Sequence, residues 1–465
     1  MRVSVIIVVA AIAAGALTAA AQNARRVSTI VTGGIVVTVD SARNVYNPGA
    51  VAIDGASIVA VGPAADIAAR FQAAEQINTV GSVVIPGLIN THTHAPMVLY
   101  RGLADDLPLQ EWLEKYIFPA EARTVSPEMV RVGTRLAALE MIQSGTTAYA
   151  DMYYFEEEIA RATKAAGMRG VLGQTVIQFP VADAKTPQES LSRAETFIRE
   201  FQRDELIVPA VAPHAPYTND AKTLLASRAL ATKYGVPVLI HVAETAVELK
   251  NSQAAHAGMS PVGYLQAIGF WGPRTVANHG VAVSAADITI LRSHQVAVSH
   301  NPESNMKLAS GIAPVPQYLA AGITVGLGTD GAASNNDLDM FEAMRFAALL
   351  HKVNTGDPRA IPAATALEMA TIGGARALGL ETQVGSLETG KRADLVVVSM
   401  AGARQTPLYD PVSHLVYVSR GDDVRTVMVN GRVLMRDRKM LTLDEPAVLA
   451  DARKLSDAVR AAVGK

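Results

Sequence analysis

Eight short apolar runs, each followed by a stretch with helical patterning, limit most strongly how this chain of 465 residues can fold. The runs are residues 83–89, 146–149, 170–177, 207–211, 236–240, 275–277, 295–298 and 324–328. Continuous apolar strands that alternate with helices indicate a parallel sheet covered on its outside. Eight of them predict an α/β fold of the closed (β/α)8, or TIM-type, barrel class. An open, doubly wound sheet is the structural alternative.

Both flanks of these runs carry short β-rich segments with glycine turns, at residues 29–40 and 50–62 and again at 393–399 and 424–435. Neither flank holds enough strands for a core of its own, so we expect the two flanks to form one small β-sandwich. The predicted division is a composite sandwich domain of residues 27–85 and 384–442, a barrel of residues 86–383 and a C-terminal helix at 443–465.

The N-terminus has the pattern of a cleavable export signal. Arg2 precedes an apolar run at residues 5–17, and three alanines at 19–21 follow it. We therefore predict a signal peptide at residues 1–21 and a periplasmic or secreted protein. A retained anchor is the alternative, although the run is shorter than the roughly 20 residues that a spanning helix needs.

Charge and cysteine content exclude several classes of partner and site. The 43 acidic and 41 basic residues leave a net charge of −2, which provides no field to attract nucleic acid, and we expect no stable membrane partner after signal cleavage. The chain has no cysteine, so a metal site must use His, Asp or Glu. We expect a small-molecule substrate and, as the default for a large barrel, a homodimer.

Four candidate metal ligands follow three of the predicted strands. His92 and His94 end the first run, His241 ends the fifth and Asp330 ends the eighth. Alternation along a strand sends His92 and His94 to the same face, and the carboxyl ends of barrel strands meet at one mouth. The sequence therefore predicts one divalent metal there, with zinc favoured and iron fitting nearly as well. The alternative is a set of buried polar residues satisfied without a metal.

Other candidates follow the same strand ends. Glu244 comes three residues after His241, while His214 and His279 follow the fourth and sixth runs. These residue types suit hydrolytic removal of an amino group, with Asp330 accepting a proton from water and a neutral Glu244 protonating a ring nitrogen. A solvated loop carboxylate is the alternative for Glu244. His300, after the seventh run, either faces the mouth or only shapes its loop. Ordinary surface or structural roles are expected for His256, His294, His351 and His414.

Over residues 29–440 the chain resembles the amidohydrolase superfamily, and most closely its methylthioadenosine/S-adenosylhomocysteine deaminase branch, which is related to amino- and chlorotriazine hydrolases. The motifs that carry the resemblance are PGLINTHTH at residues 86–94 with the following APM, RGLADDL at 101–107, SHNPESNMKLASGIAP at 299–314 and GTDGAASNN at 328–336.

The resemblance implies a barrel inserted between two halves of a β-sandwich and a hydrolase acting on carbon–nitrogen bonds other than peptide bonds. It implies a single metal held by His92, His94, His241 and Asp330. It further implies that Glu244 shuttles protons to the substrate ring and that His279 orients the hydrolytic water. His214, Trp112 and Glu121 would bind the nucleoside, with Glu121 on the ribose hydroxyls.

Two features narrow the implied reaction. Gln174 stands where an arginine would meet the carboxylate of S-adenosylhomocysteine, and residues 179–188 offer no obvious substitute, so an adenosine or methylthioadenosine type of substrate is expected. Residues 208–217 contain no lysine of the kind that bridges two metals, which favours one metal over a binuclear amide hydrolase. A triazine amino- or chlorohydrolase with the same site, and a non-catalytic binding protein on the same barrel, stay as alternatives.

Overall fold

Eight parallel strands follow one another in chain order around a single sheet in the computed structural model, which describes residues 24–463. The predicted signal peptide at residues 1–21 lies outside the described residues. We number the barrel strands in chain order: β1 (Leu88–Thr93), β2 (Thr146–Tyr153), β3 (Arg169–Val176), β4 (Ile207–Pro213), β5 (Val238–Val242), β6 (Thr275–His279), β7 (Ala297–His300) and β8 (Val325–Leu327).

Hydrogen bonds between the ends of the first and last strands close the barrel. The amide of Asp330, just after β8, donates to the carbonyl of His92 on β1 over 2.9 Å. Next to it, the Asn90 amide group donates to the Thr329 hydroxyl at 2.7 Å, and the Thr329 N–H donates back to Asn90 Oδ1 at 3.1 Å. The predicted (β/α)8 barrel is confirmed, and the open sheet is excluded.

The prediction of one strand at residues 83–89 is wrong. Ser82–Pro86 belongs to the sandwich, where it pairs with Leu395–Ser399, and only β1 belongs to the barrel. Gly87 lies at the break, where an added Cβ would be 1.9 Å from the Thr147 hydroxyl, so this close approach requires glycine. Because both strands are buried and apolar, the sequence gives no change in pattern where the chain passes from one sheet to the other.

Helices cover the outside of the barrel, and six of them begin at a Ser, Thr or Asp whose side chain accepts a backbone N–H three residues on, as for Thr245. The α-helices are Ala64–Arg70, Leu109–Trp112, Phe118–Thr124, Pro127–Gln143, Glu156–Ala166, Pro187–Phe201, Ala221–Tyr234, Ala246–Ala255, Pro261–Ala267, Ala285–Ser293, Pro302–Lys307, Val315–Ala320, Met340–Thr355, Ala363–Met369, Ile372–Leu378, Pro411–Tyr417 and Glu445–Val463. Among the described residues, none of these helices has the length and apolar character to span a bilayer.

Two sheets outside the barrel form the sandwich. A four-stranded sheet comes from the N-terminal flank alone, in the order Ser57–Pro63, Gly49–Asp54, Arg25–Thr32 and Phe71–Asn78. The seven-stranded sheet mixes both flanks, in the order Lys439–Met440, Arg432–Arg436, Val424–Val429, Leu395–Ser399, Ser82–Pro86, Ile35–Val37 and Val45–Tyr46. Apolar side chains from both sheets, among them Val51, Val84 and Met428, pack into one core. The expected joining of the two flanks is therefore confirmed.

A buried ion pair ties the base of the barrel to this sandwich. Arg169, at the start of β3, donates to Asp394 through Nε at 3.1 Å and through Nη2 at 3.3 Å. Its Nη1 donates to the carbonyl of Glu205, and Asp394 also accepts the Asn430 N–H at 2.7 Å. Both charged groups are thus paired and hydrogen-bonded, so removing one of them would leave the other buried without its counter-charge.

We expect Asp394→Asn to lower the free energy of unfolding by about 3–5 kcal/mol, because the shape is kept while Arg169 loses its counter-charge. Urea unfolding followed by fluorescence measures the change. The control is Asp54→Asn, which breaks the exposed pair between Arg25 and Asp54 and should cost less than about 1 kcal/mol. Equal shifts in the two variants would contradict this account of the junction.

Candidate metal centre and active site

The structure brings the four predicted metal ligands together at the mouth of the barrel. His92 lies near the end of β1 and His94 directly follows this strand, His241 lies on β5, and Asp330 follows β8. Asp330 Oδ1 is 3.3 Å from the Nε2 atoms of both His92 and His94. The Nε2 atoms of His94 and His241 are also 3.3 Å apart. The ligand atoms of His92, His94 and Asp330 lie within 4.8 Å of one another, and so do those of His92, His241 and His279, so the four predicted ligands cluster with His279 as a further nitrogen donor beside them.

Backbone carbonyls fix the orientation of two of these imidazoles. His94 Nδ1 lies 2.7 Å from the carbonyl of Met152, and His241 Nδ1 lies 2.7 Å from the carbonyl of His214. Since a carbonyl only accepts hydrogen bonds, each Nδ1 carries a hydrogen, and when both rings are neutral each Nε2 turns a lone pair toward the other. Two lone pairs at this separation repel unless a cation or a proton lies between them. His92 Nε2 is also buried, and its 3.3 Å contact with Asp330 Oδ1 lacks the geometry of a hydrogen bond.

Asp330 supplies a fixed negative charge to this cluster. Its Oδ2 accepts hydrogen bonds from the hydroxyls of Ser304 at 2.7 Å and Ser334 at 2.9 Å, while Oδ1 accepts the N–H of Gly331 at 2.7 Å. Burial alone would raise the pKa of Asp330, but the imidazoles beside it hold that pKa well below its ordinary value. The carboxylate therefore stays ionised in a buried site.

The pKa values of His92 and His94 diverge although both rings contact the same oxygen. Burial lowers the pKa of His92 to about 4. Burial acts on His94 in the same direction, but hydrogen bonding to Asp330 and its charge outweigh it and raise the pKa of His94 to about 9. The site thus stabilises a single positive charge next to Asp330. The three imidazoles of His92, His94 and His241 and the carboxylate of Asp330 therefore fit one divalent cation. These ligand types suit zinc as well as iron.

Glu244 and His279 lie beside the metal ligands and are almost fully buried. Glu244, in the loop after β5, is 3% exposed, and burial raises the pKa of its carboxyl group. His279 ends β6 and places Nε2 3.8 Å from Glu244 Oε2 and 4.0 Å from Asp330 Oδ2. Its Nδ1 contacts Asn305 Oδ1 at 2.9 Å, which orients the ring. His279 therefore lies between the two carboxylates.

A cavity of about 60 Å³ opens next to these groups, and His214, Trp112 and Glu121 all line it. Glu121 accepts a hydrogen bond from the Tyr153 hydroxyl at 2.7 Å, and burial raises its pKa to about 7. Trp112 Nε1 is buried without a partner among the described residues, so its N–H is available to a ligand. Burial lowers the pKa of His214 to about 3, which keeps that ring neutral.

The sequence interpretation missed the apolar wall of this cavity. Residues 109–124 form the helix Leu109–Trp112, a turn of π-helix at Leu113–Ile117 and the helix Phe118–Thr124, which cover one side. The wall consists of Met97, Leu109, Leu113, Ile117, Phe118, Tyr153, Tyr154, Tyr217 and Leu308. Apolar residues on short helices resemble core residues in a sequence. The signals that this segment borders the site were the preceding RGLADDL motif and the two residues named from the resemblance, Trp112 and Glu121.

Two residues that the sequence singled out lie outside this cavity. His300, whose role was left open, packs against His351, with their Nε2 atoms 3.1 Å apart. Gln174 donates to Asp183 Oδ2 at 2.9 Å, and the backbone N–H of Phe155 also donates to Asp183. Neither residue is part of the cavity lining.

A larger cavity of about 600 Å³ adjoins the first one and shares Leu113, Phe118 and Tyr217 with it. Its lining is partly apolar and includes Glu114 and Glu248. Among the described residues that line it, none is a lysine or an arginine. A group that extends from the inner cavity would therefore meet apolar surface and acidic side chains.

Comparison with known proteins agrees with this architecture. The model of the amidohydrolase family matches residues 83–434. A 5-methylthioadenosine/S-adenosylhomocysteine deaminase of Syntrophobacter fumaroxidans is 47% identical over 439 residues, which cover 94% of this chain and 100% of that protein.

Two solved structures share the fold over most of their length. An adenosine deaminase from Xanthomonas campestris with bound zinc is 39% identical, with a TM-score of 0.92 over 94% of this chain and 100% of that one. An atrazine chlorohydrolase from Arthrobacter aurescens TC1, complexed with zinc, is 25% identical, with a TM-score of 0.86 over 92% of this chain and 100% of that one. The match spans the barrel and much of the sandwich, as the sequence motifs predict. The chain therefore belongs to the amidohydrolase family.

Proposed function

We propose that this protein is a metal-dependent hydrolytic deaminase that releases ammonia from an amino-substituted purine nucleoside of the adenosine or methylthioadenosine type. The observation that carries the proposal is the pair of Nε2 atoms of His94 and His241, 3.3 Å apart, with the carboxyl group of Glu244 nearby at the same cavity. The deaminase names of the Syntrophobacter relative and of the Xanthomonas structure support it.

His92, His94, His241 and Asp330 would hold the metal. A divalent cation in such a site supplies Lewis acidity, which lowers the pKa of water from about 15.7 toward ~7. We favour zinc, because the donors are three imidazoles and a carboxylate and because the two solved relatives contain zinc. Iron(II) is the alternative metal for the same donors.

The protein's own groups then account for the proton transfers. As water adds to the ring carbon that bears the amino group, the Asp330 carboxylate takes one proton and Glu244, whose pKa is raised by burial, enters as the neutral acid and gives its proton to the adjacent ring nitrogen. His279 holds the water, since its Nε2 lies within 4.0 Å of both carboxylates. When the carbon–nitrogen bond breaks, the proton on Asp330 leaves with ammonia and the second proton of water returns to Glu244.

The inner cavity supplies polar groups for the nucleoside. Glu121, oriented by Tyr153, would accept hydrogen bonds from ribose hydroxyls. The free N–H of Trp112 and the neutral ring of His214 would contact the base. A 5′ substituent would extend past Phe118 and Tyr217 into the larger cavity.

A triazine amino- or chlorohydrolase is the second candidate, because the atrazine chlorohydrolase has the same fold with a TM-score of 0.86. Glu121 argues against it, since a buried carboxylate on the cavity wall suits a ligand with hydroxyl groups and a triazine has none. A non-catalytic binding protein is the third candidate. It would not require the metal ligands, Glu244 and His279 to lie together in one cavity.

Export and oligomeric state also belong to the proposal. We infer export from the pattern at residues 1–21, and a homodimer from the general tendency of large barrels to pair. Cell fractionation and sedimentation of the purified chain test these two points.

We expect the purified chain to carry one divalent ion. His92→Asn should reduce the metal content to less than about a tenth of that of the parent chain, because a four-donor site loses one imidazole nitrogen. Elemental analysis after gel filtration measures the content. His294→Asn, on a partly exposed ring beyond the helix Ala285–Ser293, is the matched control and should keep the metal. A chain without stoichiometric metal would contradict the proposal.

Glu244→Gln should lower kcat by about 100-fold or more while the metal content stays unchanged, because the amide keeps the shape of the side chain but cannot deliver a proton. Ammonia release from adenosine and methylthioadenosine measures the rate. Unchanged turnover in this variant would remove Glu244 from the mechanism.

A substrate panel tests the specificity. We expect kcat/KM for methylthioadenosine to exceed that for S-adenosylhomocysteine by about tenfold or more, because the homocysteine carboxylate would enter a cavity with acidic groups and no described cation. The panel also includes guanine, cytosine and aminotriazines. A response confined to triazines would replace the nucleoside assignment and leave the metal site unaffected.

A further inference from the structure

Glu248 holds the backbone of the loop that carries Glu244. Its Oε1 accepts the N–H of Ala243 at 3.0 Å, and its Oε2 accepts the N–H of Glu244 itself at 2.7 Å. Glu248 lies in the first turn of the helix Ala246–Ala255, and its own N–H donates to the Thr245 hydroxyl at 3.0 Å. The side chain is 4% exposed. Both carboxylate oxygens are therefore occupied by two consecutive amides of one buried loop.

This loop has a backbone conformation that needs external support. Ala243 has a φ of 53°, in the left-handed region, which costs a residue with a Cβ about 1–2 kcal/mol. The Ala243 carbonyl accepts the N–H groups of Val281 and Ala282 at 2.8 and 2.7 Å, from the loop that follows His279. The peptide on either side of Ala243 is thus fixed, from one side by Glu248 and from the other by the loop after β6.

We propose that Glu248 is a positioning residue for the deamination, which directs the carboxyl group of Glu244 toward the substrate by holding the amides of Ala243 and Glu244. The proposal rests on the proposed function, in which Glu244 transfers the proton. Glu248 does not contact the reacting atoms in this account. Its effect on the reaction passes through the position of Glu244.

Glu189 offers a matched control on the same barrel. Thr186 caps the helix Pro187–Phe201 as Thr245 caps its own helix, and Glu189 lies three residues on, as Glu248 does. Glu189 also reaches back, and its Oε2 accepts the N–H of Lys185 at 2.7 Å. It is exposed, and it does not line the active-site cavity. Glu189→Gln therefore removes a carboxylate from the first turn of a helix, as Glu248→Gln does, but at a position outside the active site.

The test compares Glu248→Gln with Glu189→Gln. In Glu248→Gln an NH₂ group replaces one acceptor oxygen and faces an amide N–H, so the loop loses one of its two bonds. We expect kcat to fall about 10- to 100-fold, with KM within about threefold and the metal content unchanged, because small misplacements of a reacting group cost this much. Glu189→Gln should leave kcat unchanged.

A double-mutant cycle separates positioning from general stability. If Glu248 acts through Glu244, adding Glu248→Gln to Glu244→Gln should change the residual rate by less than about twofold, since the acid is already absent. A further 10-fold loss in that background would overturn the proposal. So would a single-variant kcat within twofold of the parent chain, or a loss of rate that only follows loss of metal or of thermal stability.

Glu248→Asp is the second variant if Glu248→Gln does not fold. It keeps the charge but is one methylene shorter and cannot reach both amides, so the same fall in kcat is expected. Failure of both variants to fold would assign Glu248 to the stability of the barrel and overturn the proposal. The proposed function fails if the parent chain releases no ammonia or if Glu244→Gln leaves turnover intact. The Glu248 experiment differs from this case, because it compares an active parent chain with a slower variant.

Discussion

The repulsion between two ring nitrogens is the constraint on which the rest of this site depends. His94 and His241 each point a protonated Nδ1 at a backbone carbonyl, so that when both rings are neutral their Nε2 lone pairs face each other 3.3 Å apart. The carbonyls belong to Met152 on β2 and to His214 after β4. Neighbouring strands of the barrel therefore set the orientation of the ligands, and a cation between the rings converts their repulsion into binding.

The barrel seam and the metal centre are the same place. The hydrogen bond from the Asp330 amide to the His92 carbonyl closes the sheet, and the side chains of these two residues meet 3.3 Å apart at the centre. Ala243, His279 and Asp330 all have a positive φ, between 53° and 73°, although none is a glycine. Such conformations cost about 1–3 kcal/mol each and persist only where the surroundings impose them. At this mouth the hydrogen bonds to Glu248, Asn305 and the two serines at Asp330 provide that support.

The barrel and its ligands could be predicted from the sequence because both depend on local order along the chain. Strand-forming runs are visible as apolar segments, and a polar residue such as His241 at the end of a run is expected at the mouth, although His300 at the end of β7 packs against His351 instead. The predicted domain boundary between residues 85 and 86 falls beside Gly87, but the run at 83–89 did not show that it holds two strands, because two buried strands in different sheets have the same composition. The part of the apolar wall formed by residues 109–124 depends on contacts between distant segments of the chain. The role of Glu248 depends on the direction of its carboxylate. Spacing in the sequence carries no information on either.

The central claim is that one metal ion lies at the meeting point of His92, His94, His241 and Asp330. Anomalous diffraction from crystals of the protein, collected on both sides of the zinc and iron absorption edges, tests it most directly. The account predicts one anomalous peak per chain, about 2.0–2.2 Å from three imidazole nitrogens and one carboxylate oxygen. Two peaks bridged by a shared ligand, or a peak that lies away from these four side chains, would contradict it.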